Sequence, residues 1–308
     1  MEKRAFGNTG FQVSVLGFGG APTAFLKTDA GDAVRMVESL LDQGMNVVDT
    51  AMLYPGSEEF IGNHLSHRRQ DIVLISKCGQ KPPGSDAAPW SAQAIEIAVD
   101  RALRLLKTDH VDVMLLHTCD LETLKKGEAI DALVKAREAG KIKFAGYSGD
   151  NEALAYAAAH PELAALETSV NITDQKNIDL GIAVARQNNK GVIAKRPVAN
   201  ACWRDVSEQQ GMYKKYSELY TGRLAKMNLK PADLGYDGDP AQAWPEIALR
   251  FTLAVPGVHT AVVGTTNPAN ASANLRAAEK GPLEADKVRK IRDAYRAADP
   301  KGEWTGQT

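Results

Sequence analysis

The chain has 308 residues, 44% of them hydrophobic and 24% charged, and 37 Lys and Arg against 38 Asp and Glu leave a formal net charge of −1. This is an ordinary globular balance; it offers no basic excess for nucleic acid or a membrane surface, and no uninterrupted apolar stretch approaches the roughly 18 residues of a spanning helix. MEKRAFGNTG at the N-terminus lacks the apolar core of a signal peptide, and Cys78, Cys119 and Cys202 are too few for a disulfide framework, so the chain reads as soluble and cytoplasmic with small buried thiols.

In chain order, strand-like runs fall at Val13–Gly19, Asn46–Ala51, Ile72–Lys77, Val111–His117, Phe144–Ser148, Ala165–Val170, Val192–Lys195 and Thr260–Gly264. They are mostly continuous in apolar residues rather than alternating, as in parallel strands buried on both faces. Helical spacing of apolar residues lies between them, at Asp32–Leu41, Glu58–Leu65, Ala92–Leu106, Leu124–Ala139, Asn151–Ala158 and Gln175–Gln187, and later at Ala241–Ala254 and Glu284–Ala298. Eight strands alternating with helices predict a (β/α)8 TIM barrel, one domain over residues 1–308. A doubly wound sheet competes, but its Gly-rich fingerprint is absent: the first strand runs into GFGGAP, with Pro22 where the third glycine belongs. The rhythm breaks at Ala199–Asp239, which contains Trp203, the polar run Ser207–Gln210, Tyr213, Tyr216 and Tyr220, and reads as a long loop with some helix. The tail Asp299–Thr308 is polar apart from Trp304.

Four polar residues punctuate the first runs. Asp49 closes MNVVD with Tyr54 just beyond, Lys77 closes DIVLISK, and His117 closes VDVMLLH. Parallel strands joined by right-handed crossovers bring such ends to one rim, where barrels carry their chemistry. The set suits carbonyl reduction. A phenol titrates near 10 and exchanges its proton slowly at neutral pH; an adjacent ammonium stabilises the phenolate. Lys77 is expected to do this for Tyr54, Asp49 to hold Lys77, and His117 to hydrogen-bond the substrate oxygen. Each residue alone has a plainer reading: a structural ion pair, a satisfied histidine, a loop aromatic. Three consecutive strand ends plus the tyrosine reverse that balance.

At these residues the chain resembles the aldo-keto reductase family over nearly its full length. AFGNTGFQVSVLGFGG resembles the opening strand, GMNVVDTAMLYPGSEEFIG the segment with the aspartate and tyrosine, and LISKCG the lysine segment. WSAQAIEIAVDRALRLLKTDHVDVMLLH resembles the helix and strand ending in the histidine, GKIKFAGYSG the fifth strand, and ALRFTLAVPGVHTAVVGTTNPANASANL the nucleotide end. The resemblance implies an NAD(P)H-dependent oxidoreductase that reduces aldehydes or ketones, or oxidises alcohols or sugars. Asp49, Tyr54, Lys77 and His117 would form its catalytic tetrad, with Tyr54 as general acid or base. Pro55 replaces a common glycine, and Ser57 is expected to cap the next helix.

The implied cofactor positions depart from the family pattern. Ser148 carries over, but Gly149 replaces its asparagine partner; Glu167 stands where a glutamine usually meets the nicotinamide carboxamide; Lys195, with Arg196 beside it, takes the place of a stacking tyrosine. At the nucleotide end, Gly264 and Asn270 occupy positions often held by Lys and Arg, Ala273 replaces a glutamate, and Asn274 is retained. Thr265, Thr266 and Arg276 remain to hold a phosphate or ribose. Asn267 and Pro268 suit the start of a helix whose N-terminus favours anions. On this basis NADP(H) is expected ahead of NAD(H), with Trp203 lining the substrate pocket and no metal. The expected partner is a small carbonyl or alcohol, with no nucleic acid and no membrane; oligomeric state is left open. The alternatives are a non-catalytic cofactor-binding sensor or regulatory subunit on the same fold, and a metal-dependent barrel hydrolase using Cys78, His117, Cys119 and Asp120. No metal-ligand spacing supports the latter. A short-chain dehydrogenase would need a lysine four residues after a tyrosine, and none follows any tyrosine here. His64 and His67 read as surface residues.

Overall fold

The computed structural model describes residues 1–25, 29–208 and 213–307. Its centre is a closed parallel barrel of eight strands: β3 (Leu16–Gly19), β4 (Val47–Asp49), β5 (Val73–Cys78), β6 (Val111–His117), β7 (Ile142–Ser148), β8 (Leu163–Ser169), β9 (Gly191–Lys195) and β10 (Thr260–Val263). The ring closes where β10 pairs with β3, Ala261 opposite Leu16 and Val263 opposite Phe18. A short antiparallel hairpin, β1 (Lys3–Ala5) and β2 (Gln12–Ser14), precedes the barrel. It delivers Phe6 and Val13 into the interior cluster formed by Val47, Val73, Ile75, Val113, Leu115, Ile193 and Val262.

Side chains on a strand alternate between faces with period two, and this parity places the polar residues. Val47 faces inward, so Asp49 does; Val73 and Ile75 face inward, so Lys77 does; Val113 and Leu115 bring His117 with them. The same count turns Ser148, Glu167 and Lys195 inward, following Phe144, Ala165 and Ile193. The outward set, including Val48, Leu74, Met114, Leu116, Leu166 and Val192, packs against the helices.

The eight strand positions match the sequence reading, with corrections at their ends. Val13–Gly19 is two strands that part at Val15, because the first half pairs in the hairpin and the second in the barrel. The expected helix Leu124–Ala139 is two, Leu121–Lys126 and Glu128–Glu138, divided by Gly127 at φ 80°; a glycine takes this left-handed turn without steric cost. Gln175–Gln187 contains a π-helical turn at Ile178–Ile182 before the α-helix Ala183–Gln187. The long loop is more ordered than expected, with a 15-residue helix at Tyr213–Met227; residues 209–210 of its polar run, and Thr308 of the tail, lie outside the described residues. Asn267 caps the helix Pro268–Glu279 through its side chain, with Pro268 in the first turn.

Helix Ser57–His64 lies against helix Ala92–Leu106 with almost no clearance. A methyl group at Gly62 would stand 1.9 Å from the Leu105 carbonyl oxygen. Gly62→Ala is therefore expected to destabilise the fold by about 1–3 kcal/mol, the range of overpacking. The denaturant midpoint reads this directly; an unchanged midpoint would refute the tight crossing.

Candidate active site

Backbone hydrogen bonds pin the segment that carries Tyr54 to the neighbouring strand. Thr50 N donates to Ile75 O at 2.9 Å and Met52 N to Lys77 O at 3.1 Å. Tyr54 N donates to Ala51 O at 3.0 Å, and Ser57 N to Tyr54 O at 3.0 Å, so a tight turn presents the phenol at the rim. Gly56, at φ 76°, caps helix Ser57–His64 by its backbone. Ser57 is thus the first helical residue rather than the cap; its hydroxyl accepts from Thr50 Oγ1 at 2.8 Å and donates to Gly20 O at 3.3 Å. Glu58 is buried on Ser76, 2.9 Å away, and on Arg101.

Lys77 is fully buried and reaches four oxygens. Its Nζ donates to both carboxylate oxygens of Asp49 at 2.6 and 2.7 Å and to Thr50 O at 3.1 Å. It also lies 3.2 Å from Glu167 Oε2. The same Nζ stands 5.2 Å from the centre of the Tyr54 ring. His117 meets that ring edge-on, 5.9 Å between centroids, and its buried Nδ1 has no hydrogen-bond partner among the described residues. The four candidate catalytic residues therefore converge, and Glu167 joins them.

Charge in this cluster is set by burial and by two carboxylates on one cation. Burial alone would lower the Lys77 ammonium; Asp49 and Glu167 more than reverse that and hold it charged. For Tyr54 the sequence-based expectation is half met. Burial raises the phenol and is the largest influence; Lys77 pulls it down, while Asp49 and Glu167 oppose Lys77, and the net direction is upward. Lys77 acts as expected, but its field is largely spent on its counter-ions. Burial, then the charges of Lys77, Lys195 and Arg196, push His117 well below the ordinary imidazole range, so it is a neutral hydrogen-bonding group. Burial also raises the thiols of Cys119 and Cys202 to about 12 and that of Cys78 further, which leaves all three as unreactive packing residues. Asp120 is occupied in capping a helix through Thr123 N, 2.7 Å away. His64 and His67 are exposed.

Two cavities share Pro22, Val198, Asn200, Val263 and Gly264 and so form one groove. The inner cavity, about 160 Å³, is bounded by Asp49, Tyr54, Glu167, Lys195, Arg196 and Tyr216. The outer one, about 680 Å³, is bounded by Thr265, Asn270, Asn274, Arg204, Arg276 and Lys280. Trp203 belongs to the outer cavity, stacked 6.2 Å from Trp244. Trp203, expected to line the pocket, thus borders the outer part of the groove, just past the helical turn at Ala199–Ala201. Thr265 Oγ1 accepts from Asn267 N at 3.1 Å and shapes the turn into the nucleotide-end helix, with Thr266 beside it. The buried Ser148 hydroxyl and His117 Nδ1 have no hydrogen-bond partner among the described residues, and the elongated groove, running from Asp49, Tyr54 and Glu167 to the helix at Pro268, fits a dinucleotide.

The basic pair is not solvated. Lys195 forms an ion pair with buried Asp150 at 3.1 Å. Arg196 donates to Ser169 Oγ at 2.8 Å and to the Gln307 carbonyl, and its guanidinium stacks 3.9 Å from the Tyr216 ring centre. The tail supplies Gln307 to this side of the site. Gly306 exchanges hydrogen bonds with Asn151, and Gln307 N donates to Asp174 Oδ2 at 3.1 Å. Arg196, Ala199, Asn200 and Ala201 all carry positive φ, a cluster of sparsely populated backbone states of the kind that gathers at functional sites.

The class these features define agrees with known proteins. The profile described as "Aldo/keto reductase family" matches residues 15–296. The uncharacterized oxidoreductase YqkF of Bacillus subtilis is 26% identical over 318 aligned positions, covering 96% of this chain and 99% of that one. The L-galactose dehydrogenase of Arabidopsis thaliana is 35% identical over 158 residues, 48% of this chain and 49% of that protein. Among solved structures, the holo form of aldo-keto reductase AKR11C1 from Bacillus halodurans superposes with TM-score 0.79 at 27% identity, covering 96% of this chain and 97% of that one. The chain belongs to the aldo-keto reductase family and is an NAD(P)H-dependent oxidoreductase acting on carbonyl or alcohol substrates. Among the described residues, no helix is long and apolar enough to cross a membrane.

Proposed function

We propose that Asp49, Tyr54, Lys77 and His117 carry the reaction, with Tyr54 as general acid in carbonyl reduction and general base in alcohol oxidation. The supporting observation is the single cluster in which Lys77 touches Asp49 and flanks Tyr54, while neutral His117 meets the same ring. Bound nicotinamide cofactor supplies or receives the hydride. Tyr54 gives its proton to the substrate oxygen as negative charge develops there. Lys77, kept charged by its carboxylates, stabilises the phenolate left behind. His117 hydrogen-bonds and orients the same oxygen. Ser148 and Glu167 would hold the carboxamide of the bound cofactor, and Arg196 with Tyr216 walls the inner cavity.

NADP(H) is the proposed cofactor ahead of NAD(H). The outer cavity lacks the cations common at the positions of Gly264 and Asn270, but Arg276 and Arg204 border it, and Lys280, held by Glu246 at 2.6 Å, lies beside them. A charge-assisted bond to a phosphate contributes about 1.5–3 kcal/mol. Fluorescence titration should give tighter binding for NADPH than NADH, and Arg276→Ala should weaken NADPH about tenfold or more while leaving NADH unchanged. Tighter NADH binding by the wild-type chain would overturn the cofactor preference without touching the tetrad.

A further inference from the structure

Among the described residues, the charged side chains that border the inner cavity are each answered by a counter-charge, with the exception of Arg196. Burial and then the facing Glu167 hold the Asp49 carboxyl up to about 8, so at neutral pH the two carboxyls keep one proton between them. The single negative charge left is answered by Lys77, 2.6 and 2.7 Å from the oxygens of Asp49 and 3.2 Å from Glu167. Lys195 forms its ion pair with Asp150 at 3.1 Å, a carboxylate that also accepts from Thr168 Oγ1, Ser169 N and Asn177 Nδ2 inside the protein. Arg196 is half-buried, and its direct partners among the described residues are the Ser169 hydroxyl, the Gln307 carbonyl and the Tyr216 ring, all of them neutral. Asp150 and Asp174 reach it only through longer-range attraction, and Asp174 faces a guanidinium of its own, Arg223, at 3.9 Å. Both hydrogen bonds of Arg196 to the protein leave from Nη1, so Nε and Nη2 remain for another acceptor.

We propose that Arg196 is the seat for a carboxylate on the substrate, so that the enzyme acts on oxo acids and hydroxy acids in preference to their uncharged counterparts. The inference rests on the reading of Asp49, Tyr54, Lys77 and His117 as the reacting end of the same cavity. Tyr54 and Arg196 border that cavity together, and the Arg196 charge acts on both Tyr54 and His117, the two groups that meet the substrate oxygen. A substrate whose carbonyl lies on them has its remaining atoms beside a space of about 160 Å³ that Arg196 bounds. A guanidinium presents a planar fork of donors that matches a carboxylate, and the attraction is strengthened where water is scarce. The stack on Tyr216 and the bonds to Ser169 and Gln307 hold the fork in place before substrate arrives, so little side-chain freedom is lost on binding. The cofactor's diphosphate is the competing anion for this fork, and the test separates the two.

The test is steady-state reduction by the full chain with saturating reduced cofactor. Glyoxylate, succinate semialdehyde and para-formylbenzoate are each compared with their methyl esters, and the acid-to-ester ratio of kcat/KM is measured for wild type, Arg196→Gln and Arg196→Lys. Wild type is expected to favour the acid about tenfold or more in at least one pair, the scale of a charge-assisted hydrogen bond. Arg196→Gln should lose that preference mainly through KM, and Arg196→Lys, which keeps the charge without the fork, should fall between. A wild-type chain that shows no acid preference in any pair overturns the inference, and this result needs neither variant to fold. A preference that Arg196→Gln leaves unchanged also overturns it. If that variant in addition binds NADPH and NADH about tenfold more weakly in a fluorescence titration, the guanidinium belongs to the cofactor's diphosphate. In these cases the esters are still reduced and the tetrad stands. A wild-type chain that binds cofactor yet reduces neither member of any pair would sink the tetrad reading and this inference with it.

Discussion

Tyr54→Phe is expected to lower turnover by about 10²–10⁴-fold, the usual contribution of a positioned general acid or base, while cofactor affinity changes little. The substitution keeps the ring that meets His117 edge-on at 5.9 Å and removes only the exchangeable proton. Burial holds this phenol up, against the pull of Lys77, so it is protonated at neutral pH and ready to act as an acid. Reduction should therefore proceed at neutral pH without a prior protonation step, and oxidation should gain as the pH rises. His117 should add no limb near its ordinary range, because burial and three cations keep it neutral. Turnover equal to wild type in Tyr54→Phe would exclude the tyrosine as proton donor.

Lys77→Met is expected to cost both activity and stability. It leaves Asp49 and Glu167 buried without their shared cation, and breaking a buried ion pair on one side costs about 3–5 kcal/mol. The loss should depend on pH with a definite sign. Burial and then Glu167 already push Asp49 up to about 8, above its unfolded value. A group shifted upward binds its proton more tightly in the folded state, so its contribution is fully present in acid and is lost as the pH rises through the folded value. Without Lys77 to oppose the shift, Lys77→Met should be most stable near pH 4–5 and weaken steadily toward pH 8 and above. Thermal unfolding across that range checks it. A variant as stable as wild type at pH 8 would mean that the two carboxylates are hydrated rather than dry.

Much of this site was legible because strand parity and strand order are visible in sequence. MNVVD, DIVLISK and VDVMLLH end on the residue that the interior pattern turns inward, and adjacent strands in the chain are adjacent in the barrel. What escaped depended on tertiary context. Val15 lies in an unbroken apolar run, and nothing local reveals that its two sides pair with different partners. Helix Tyr213–Met227 buries Ser217, Tyr220 and Arg223, so its inward face is too polar to announce itself by hydrophobic spacing. The titration of Tyr54 turned on how dry the cavity is and on Glu167, a residue far away in sequence. Gln307 reaches Arg196 from a polar tail whose composition resembles any exposed terminus.

The pairing of β10 with β3 joins Ala261 to Leu16 across most of the chain, and this has a consequence for how the protein comes into being. A nascent polypeptide that has not yet released β10 holds β3 and β9 as two open sheet edges, each a template for pairing with another chain. Closure is a strongly non-local event, and such events are slow. The barrel wall around Lys77 and its two carboxylates stays incomplete until that last strand docks. Assembly of the catalytic rim is thus a late step of biogenesis, and a chain stalled before β10 is an aggregation hazard rather than a partial enzyme.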